Sequence, residues 1–400
     1  MLYISRTLLS EGSRIFRAPI GRYLMAAALA WAGSARAANY YVSQNGGSDS
    51  SPGTSAQPWK TLAKASARAA AGDSILVGPG TYSDPASDYY RAFNPPGSGR
   101  AGAPIVFKST VLHQAILTSS NRSNPAFGIN NRQYVVIDGF KVVGGIGFRE
   151  RADNGIIRNC DVSVGFIQGG DVSLHWGIYL AGVSRGLVEN NHIHSPGSFG
   201  NKTHNGAAIM VIGVPSNTDS NIIQYNEADG GGNIWYNAYG QKAGLMANNI
   251  WRRNVARNAV AGFLGMGSTD NTKYSTGNRF QENLILNCRY AFELDHHSTG
   301  FRIHGNTVRG GSVFLHGGYR PDSESGLRSM EVWNNLFSPA AGTGSFYQRD
   351  VKTPDWKLLL TYSDHNGMPG RPAAWNYGSS SFANLEAWRS ASGKDANSLS

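Results

Sequence analysis

The densest run of chemistry-bearing residues is Arg289, Glu293, Asp295 and His297, followed by His316, Tyr319 and Arg320. Alternate residues of a strand face the same side. An extended 289–297 therefore turns Phe292 and Leu294 one way and Arg289, Glu293, Asp295 and His297 the other. Such a set suits β-elimination from a uronate polymer. That reaction needs a cation to neutralise the sugar carboxylate, a base to remove the proton made acidic by it, and an acid for the leaving oxygen. Lys242 is the candidate base, Arg289 the candidate carboxylate clamp, and His316 or Tyr319 the candidate proton donor. Tyr179, His297, Tyr319 and Arg320 are candidates for holding the substrate, and outward Trp176, Trp235, Tyr236 and Tyr239 offer rings on which sugars stack.

Glu293 and Asp295 admit a second chemistry. Two residues apart on a strand they stand ~6.6 Å apart along the backbone, within the ~6.5–9.5 Å that separates the carboxyls of inverting glycosidases. Asp295-His296-His297 places only Asp295 and His297 on one face, short of the three or four ligands zinc takes, so the metal is undetermined. His192 and His194, with His204 nearby, read as corner or loop histidines.

Residues so far apart in sequence meet only if the chain stacks on itself, and a repeat provides for that. The pattern apolar-x-x-Asn-x-apolar recurs as Ile157…Asn159…Val162, Val188…Ile193, Ile223…Asn226…Ala228, Trp251…Asn254…Ala256, Phe280…Asn283…Ile285, Ile303…Asn306…Val308 and Val332…Asn335…Phe337. Its final apolar position falls at 142, 162, 193, 228, 256, 285, 308 and 337. Such periods, with short Gly- and Asn-bounded strands and no long helical run, indicate an all-β solenoid. The expected fold is a right-handed parallel β-helix with three short strands per turn. Its turns stack at ~4.8 Å, asparagines occupy the corners in left-handed backbone, and their amides bond from turn to turn. The groove face is expected from Ile178–Leu180, Ile209–Val211, Leu245–Ala247, Phe263–Gly265, Phe292–Asp295 and Val313–His316. This register puts His316 one turn from Glu293 and Lys242 about two turns from Arg289, ~10 Å away.

Composition agrees. Gly is 50 of 400 residues and only 16% are charged, too little charge for a disordered chain. The glycines have no three-residue period, which excludes collagen. Beyond the N-terminus no apolar run reaches the ~20 residues of a membrane helix.

Residues 1–37 read as a signal peptide: a basic lead, an apolar Tyr23–Ala32 and Ala35-Arg36-Ala37 as cleavage signature. Cleavage near Ala37 predicts a secreted or periplasmic protein, with 38–400 as one β-helix domain. The leader holds five Arg and one Glu, so its loss takes the formal charge from +10 to about +6. Cys160 takes an asparagine-like corner and Cys288 follows the 285 marker, four turns on. That separation of ~19 Å exceeds disulfide reach, so two free, buried thiols are expected. Segment 59–71 is rich in helix formers and reads as an N-terminal cap helix, 382–391 as a short C-terminal helix. Segments 84–103 and 318–328 read as projecting loops.

Tyr40-Tyr41-Val42-Ser43, Asn45-Gly46, Pro52-Gly53-Thr54, Pro58-Trp59-Lys60-Thr61-Leu62, Gly72-Asp73 and Gly80-Thr81-Tyr82 resemble the opening segment of the pectate-lyase-like β-helix proteins, especially the family-9 polysaccharide lyases. The resemblance implies a polysaccharide substrate, calcium held by an aspartate cluster, and a lysine base. The comparable stretch Asn226–Asn233 has a single Asp229 and no Asp pair, so no cofactor is assigned on this match and Ca²⁺ is the ion the family implies. The expected activity is lysis of an anionic polysaccharide by a monomer that binds no nucleic acid and does not insert into membranes. Inverting hydrolysis on the same fold, or carbohydrate binding without catalysis, are the alternatives.

Overall fold

The structure is a computed structural model. It describes residues 37–83, 91–119, 124–163, 166–167, 175–194, 207–213, 216–229, 233–237, 244–266, 275–295, 298–317, 329–340, 344–349, 360–368, 375–377, 380–382 and 384–399. Among them the chain winds as a right-handed parallel β-helix. One turn runs through Leu187–Glu189, a corner, His192–His194, then Ala207–Ile212 and Thr218–Asp219, before the next turn begins at Ile222. Stacked turns build sheet 1, from Asn39–Val42 to Leu360–Asp364, and sheet 2, from Gly80–Ser83 to Leu336–Ser338. Sheet 3 extends from Phe127–Asn130 to Ser345–Arg349. A narrow sheet 4 of two-residue strands, from Thr218–Asp219 to Ser298–Thr299, is a side the sequence did not announce.

The marker positions are themselves the register. Val142, Val162, Ile193, Ala228, Ala256, Ile285, Val308 and Phe337 are successive direct partners across sheet 2. Three-residue strands suit this path because only the central side chain must be apolar. Val188, Ile223, Trp251, Phe280, Ile303 and Val332 point into the tube from sheet 1, all buried. Large rings fill the C-terminal half: Phe280 packs on Trp251, Phe263, Phe292 and Phe301.

From the turn that begins at Ile156 onward, each corner between sheets 1 and 2 uses two residues with separate jobs. The first takes left-handed backbone: Asn159, Asn190, Tyr225, Arg253, Glu282, Gly305, Asn334 and His365. The second is the ladder residue: Cys160, then Asn191, Asn226, Asn254, Asn283, Asn306, Asn335 and Asn366, all buried. The expectation that one asparagine does both is thereby corrected. Left-handed backbone tolerates several side chains at modest cost, whereas the buried slot demands two amide donors and an acceptor. Asn254 shows the rule. Its Nδ2 donates to Ile223 O (2.9 Å) and Asn283 Oδ1 (3.0 Å), and its Oδ1 accepts from Asn226 N (3.0 Å) and Nδ2 (3.1 Å). A second ladder, Asn221–Asn249–Asn278, lies where sheet 4 meets sheet 1.

Cys160 heads the long ladder, its N–H donating to Asn191 Oδ1. Both thiols are buried and unbridged. Burial pushes Cys160 up to about 12 and Cys288 up to about 11.

Both ends are closed by short helices and carboxylates. Helix α1 (Leu62–Ser66) is N-capped by Thr61 and is shorter than the 59–71 read from sequence, because Ala67 closes it with a 3.0 Å bond to Ala63 O. Asp49 accepts from Lys60 N, Thr61 N and Thr61 Oγ1. Helix α2 (Leu385–Ser392) begins three residues later than expected, at the Asn384 cap, and ends on left-handed Gly393. Beyond it Asp395 and Ser398 receive the last ladder residue, Asn366. Asp364 accepts from Asn397 N and Nδ2. Burial pushes the Asp49 and Asp364 carboxyls up, but these hydrogen bonds outweigh it and hold both below the usual range.

Replacing Asn254 by Ala strands the amide groups of Asn226 and Asn283, at ~1–3 kcal/mol for each buried group left unpaired. The urea midpoint of Asn254→Ala is expected to fall by the equivalent of about 3 kcal/mol. A shift within error of wild type contradicts the ladder. Because Asp49 and Asp364 have lowered folded-state values, each stabilises its end fully above about pH 4 and loses that contribution as pH falls through the folded value. Hydrogen exchange at about pH 3 is expected to open residues 45–62 and 384–399 before the central turns, and uniform opening speaks against it.

Candidate functional site

Sheet 3 carries the longest strands, including the seven-residue His175–Ala181 and the six-residue Tyr290–Asp295. In the latter, Phe292 and Leu294 enter the core and Glu293 points out. Glu293 and His316 are direct partners on adjacent turns, with His316 Nδ1 3.5 Å from Glu293 Oε1. The His316 ring stacks on Tyr290 at 4.5 Å and 18°. Arg289 also lies against Tyr290, its guanidinium carbon 4.9 Å from the ring centroid. Tyr290 also packs with Ala261 and Val313 in a small apolar cluster on the outside of the sheet.

Direction was legible from alternation and depth was not. Glu293 and His316 face outward as expected, yet they are only 8% and 6% exposed, and Arg289 alone of the cluster is exposed. The Tyr290 ring stacks on the imidazole and covers one of its faces. Tyr290 was not singled out from sequence because strict alternation sends it inward with Phe292 and Leu294, whereas Ala291 joins the main core and Tyr290 the separate cluster with Ala261 and Val313.

Tyr179 is in backbone register with Glu293 through Met210, Tyr236 and Leu264. It is four turns from Glu293, or ~19 Å, and lies buried against Trp176 at 4.7 Å. It therefore does not join the cluster. Asp295 ends its strand in register with Met266; its side chain lies outside the described residues, as do Lys242, His297, Tyr319 and Arg320. One strand of the expected face is corrected. Met246–Ala247 belongs to sheet 4, and the sheet 3 strand of that turn is Asn233–Asn237.

The stretch comparable to a calcium site does not suit one. Its two carboxylates lie on sheet 2: Glu227 Oε1 pairs with Arg257 Nε at 2.8 Å, and Asp229 Oδ1 accepts from Asn258 Nδ2 at 2.8 Å. Calcium takes six to eight oxygens, and these two are already engaged. What the sheet 3 cluster offers is a surface cation beside a carboxylate–imidazole pair. An imidazole beside a carboxylate is a pairing suited to proton transfer.

Residues 45–93 match a family described as Protein of unknown function (DUF1565). An uncharacterised protein of Bacillus subtilis (strain 168), YwoF, is 28% identical over 159 residues, covering 38% of this chain; the match spans only 28% of that relative's length. Among solved structures, GH136 lacto-N-biosidase from Eubacterium ramulus (selenomethionine derivative) is similar at TM-score 0.51 and 11% identity, over 79% of this chain and 66% of that one. The mannuronan C-5 epimerase AlgE6 A-module of Azotobacter vinelandii is similar at TM-score 0.50 and 12% identity, over 82% and 89%. At such identities the likeness is one of fold, and it agrees with the pectate-lyase-like β-helix architecture.

Tyr290→Leu removes the ring over His316 while keeping an apolar group between Ala261 and Val313. The far-ultraviolet spectrum is expected to stay unchanged, and diethylpyrocarbonate modification of the His316 peptide, followed by mass spectrometry, to accelerate severalfold. Unchanged reactivity contradicts the stack.

Proposed function

We propose that this protein is a secreted or periplasmic, polysaccharide-active enzyme that cleaves a uronate-containing polymer by β-elimination along the outer face of sheet 3. The observation that carries the reading is the Arg289–Tyr290–Glu293–His316 cluster, assembled from adjacent turns on that face. Similar folds occur in a lacto-N-biosidase and a mannuronan C-5 epimerase, both of which act on saccharides by name. Among the described residues no helix is long and apolar enough to cross a membrane.

In this reading Arg289 pairs with the sugar carboxylate and stabilises the negative charge that builds on it as the adjacent C–H bond breaks. His316, oriented by Glu293, handles protons. The electron pair left by the proton forms the new C=C bond, the C–O bond at the β position breaks, and the leaving oxygen takes up a proton. Lys242 and Tyr319 remain the candidates for a second proton-transfer group. Asp295, His297 and Arg320 complete the proposed groove by sequence position.

The test is a panel of pectate, alginate and other acidic polysaccharides, read by the ultraviolet absorbance of the new C=C and by reducing ends, with and without EDTA. Wild type is expected to generate both signals. Arg289→Ala and His316→Ala are expected to lower kcat/KM by about 10²-fold or more, and Glu293→Gln by a smaller factor. New reducing ends without the absorbance assign hydrolysis to Glu293 and Asp295. Binding without either signal leaves a carbohydrate-binding scaffold and refutes the enzyme. Sequencing the exported protein is expected to begin near Ala38.

A further inference from the structure

On sheet 2, away from the sheet 3 cluster, three side chains from two adjacent turns converge. Asp161 lies on Asp161–Ser163 and is the direct partner of His192 on His192–His194. Two residues apart on a strand, His192 and His194 share the outward face; their ring centroids lie 4.4 Å apart at 54°. His194 Nε2 is 2.5 Å from Asp161 Oδ1. One nitrogen from each histidine and one Asp161 oxygen all fall within 4.8 Å of one another.

From this we infer that Asp161, His192 and His194 form a binding site for a divalent transition-metal ion that prefers imidazole, of the Zn²⁺, Co²⁺ or Ni²⁺ class. Three observations carry it. The donor set is two imidazoles and a carboxylate, which suits borderline metals and not calcium or magnesium, whose ligands are oxygens. Asp161 Oδ1 is shielded from solvent and receives no hydrogen bond of bonding geometry, although His194 Nε2 is close to it. The carboxylates of the next turn are directed elsewhere: Glu227 pairs with Arg257, and Asp229 accepts from Asn258. Lys141, in register on the preceding turn, bounds the site on its other side.

The ion would bridge two successive turns. Three protein ligands leave a fourth tetrahedral position for water, and the partial exposure of His194 (39%) lets the ring open from its 2.5 Å contact to a metal-bonding distance. The site lies on a different face from Arg289, so its predicted consequence is mechanical: it ties the 162 turn to the 193 turn. These turns stand at the head of the asparagine ladder, where Cys160 occupies the slot that asparagine fills further along.

The full chain, stripped with EDTA and dialysed, is titrated with Co²⁺ and followed by visible d–d absorption. Zn²⁺ is then added as competitor, and the thermal midpoint is recorded at each Zn²⁺ concentration. Wild type is expected to show a saturable cobalt spectrum abolished by Zn²⁺, and a midpoint that rises with Zn²⁺. His192→Ala, His194→Ala and Asp161→Asn are each expected to weaken binding about tenfold or more. His304→Ala changes the histidine that stacks on Trp333 on sheet 1 and is expected to bind as wild type does. Absence of a cobalt spectrum, binding unchanged in His194→Ala, or displacement of Co²⁺ by equimolar Ca²⁺ overturns the assignment.

Discussion

A buried primary amide is costly unless both its protons and its oxygen find partners, and in this fold the turns directly above and below provide them. From Asn191 to Asn366 each ladder residue donates to the next, and its backbone N–H is satisfied by the same oxygen. A slip of one residue would bury a polar side chain against Val188 or Trp251 and leave an amide without partners. The ladder therefore fixes the register, and the register fixes what the outer walls carry.

The sheet 3 cluster is a product of that constraint. Glu293 and His316 meet because Ile285 pairs with Val308 on sheet 2 and the two turns keep step into sheet 3. The Asp161–His192–His194 group arises likewise, from the pairing of Val162 with Ile193. The two clusters occupy different walls, one on sheet 3 and one on sheet 2. The ends need separate closure, because the first and last rungs lack a partner turn. Asp49 and Asp364 meet this need by accepting main-chain N–H groups, and Asp395 by receiving the terminal amide.

Much of this was legible in the sequence because the fold reduces to two invariants, an inward apolar residue and a corner asparagine. The eight marker positions are direct partners without exception. The reading failed where those invariants are silent. Met246 and Ala247 look like a groove strand, being apolar and adjacent to a corner, but they follow the sheet 3 strand of their turn. The second ladder was overlooked since Asn221, Asn249 and Asn278 precede strands whose apolar pattern is already explained. Depth was also hidden. Period-two alternation states which way Glu293 and His316 point, but not how deeply they sit or that the Tyr290 ring stacks on His316, a contact that emerges only when turns are stacked. The histidine pair 192/194 was visible, but its carboxylate partner lies thirty-one residues earlier and joins it only through register.

The central claim is the stacking register itself, and a distance across many turns tests it most directly. Val143 and Arg309 are exposed strand positions on sheet 2, linked through Ser163, His194, Asp229, Arg257 and Leu286. Spin labels on Val143→Cys and Arg309→Cys, measured by double electron–electron resonance, should give one narrow distance near six spacings, about 29 Å. A broad distribution, or a sharp one displaced by more than a turn or two, would contradict the register and every cluster built on it.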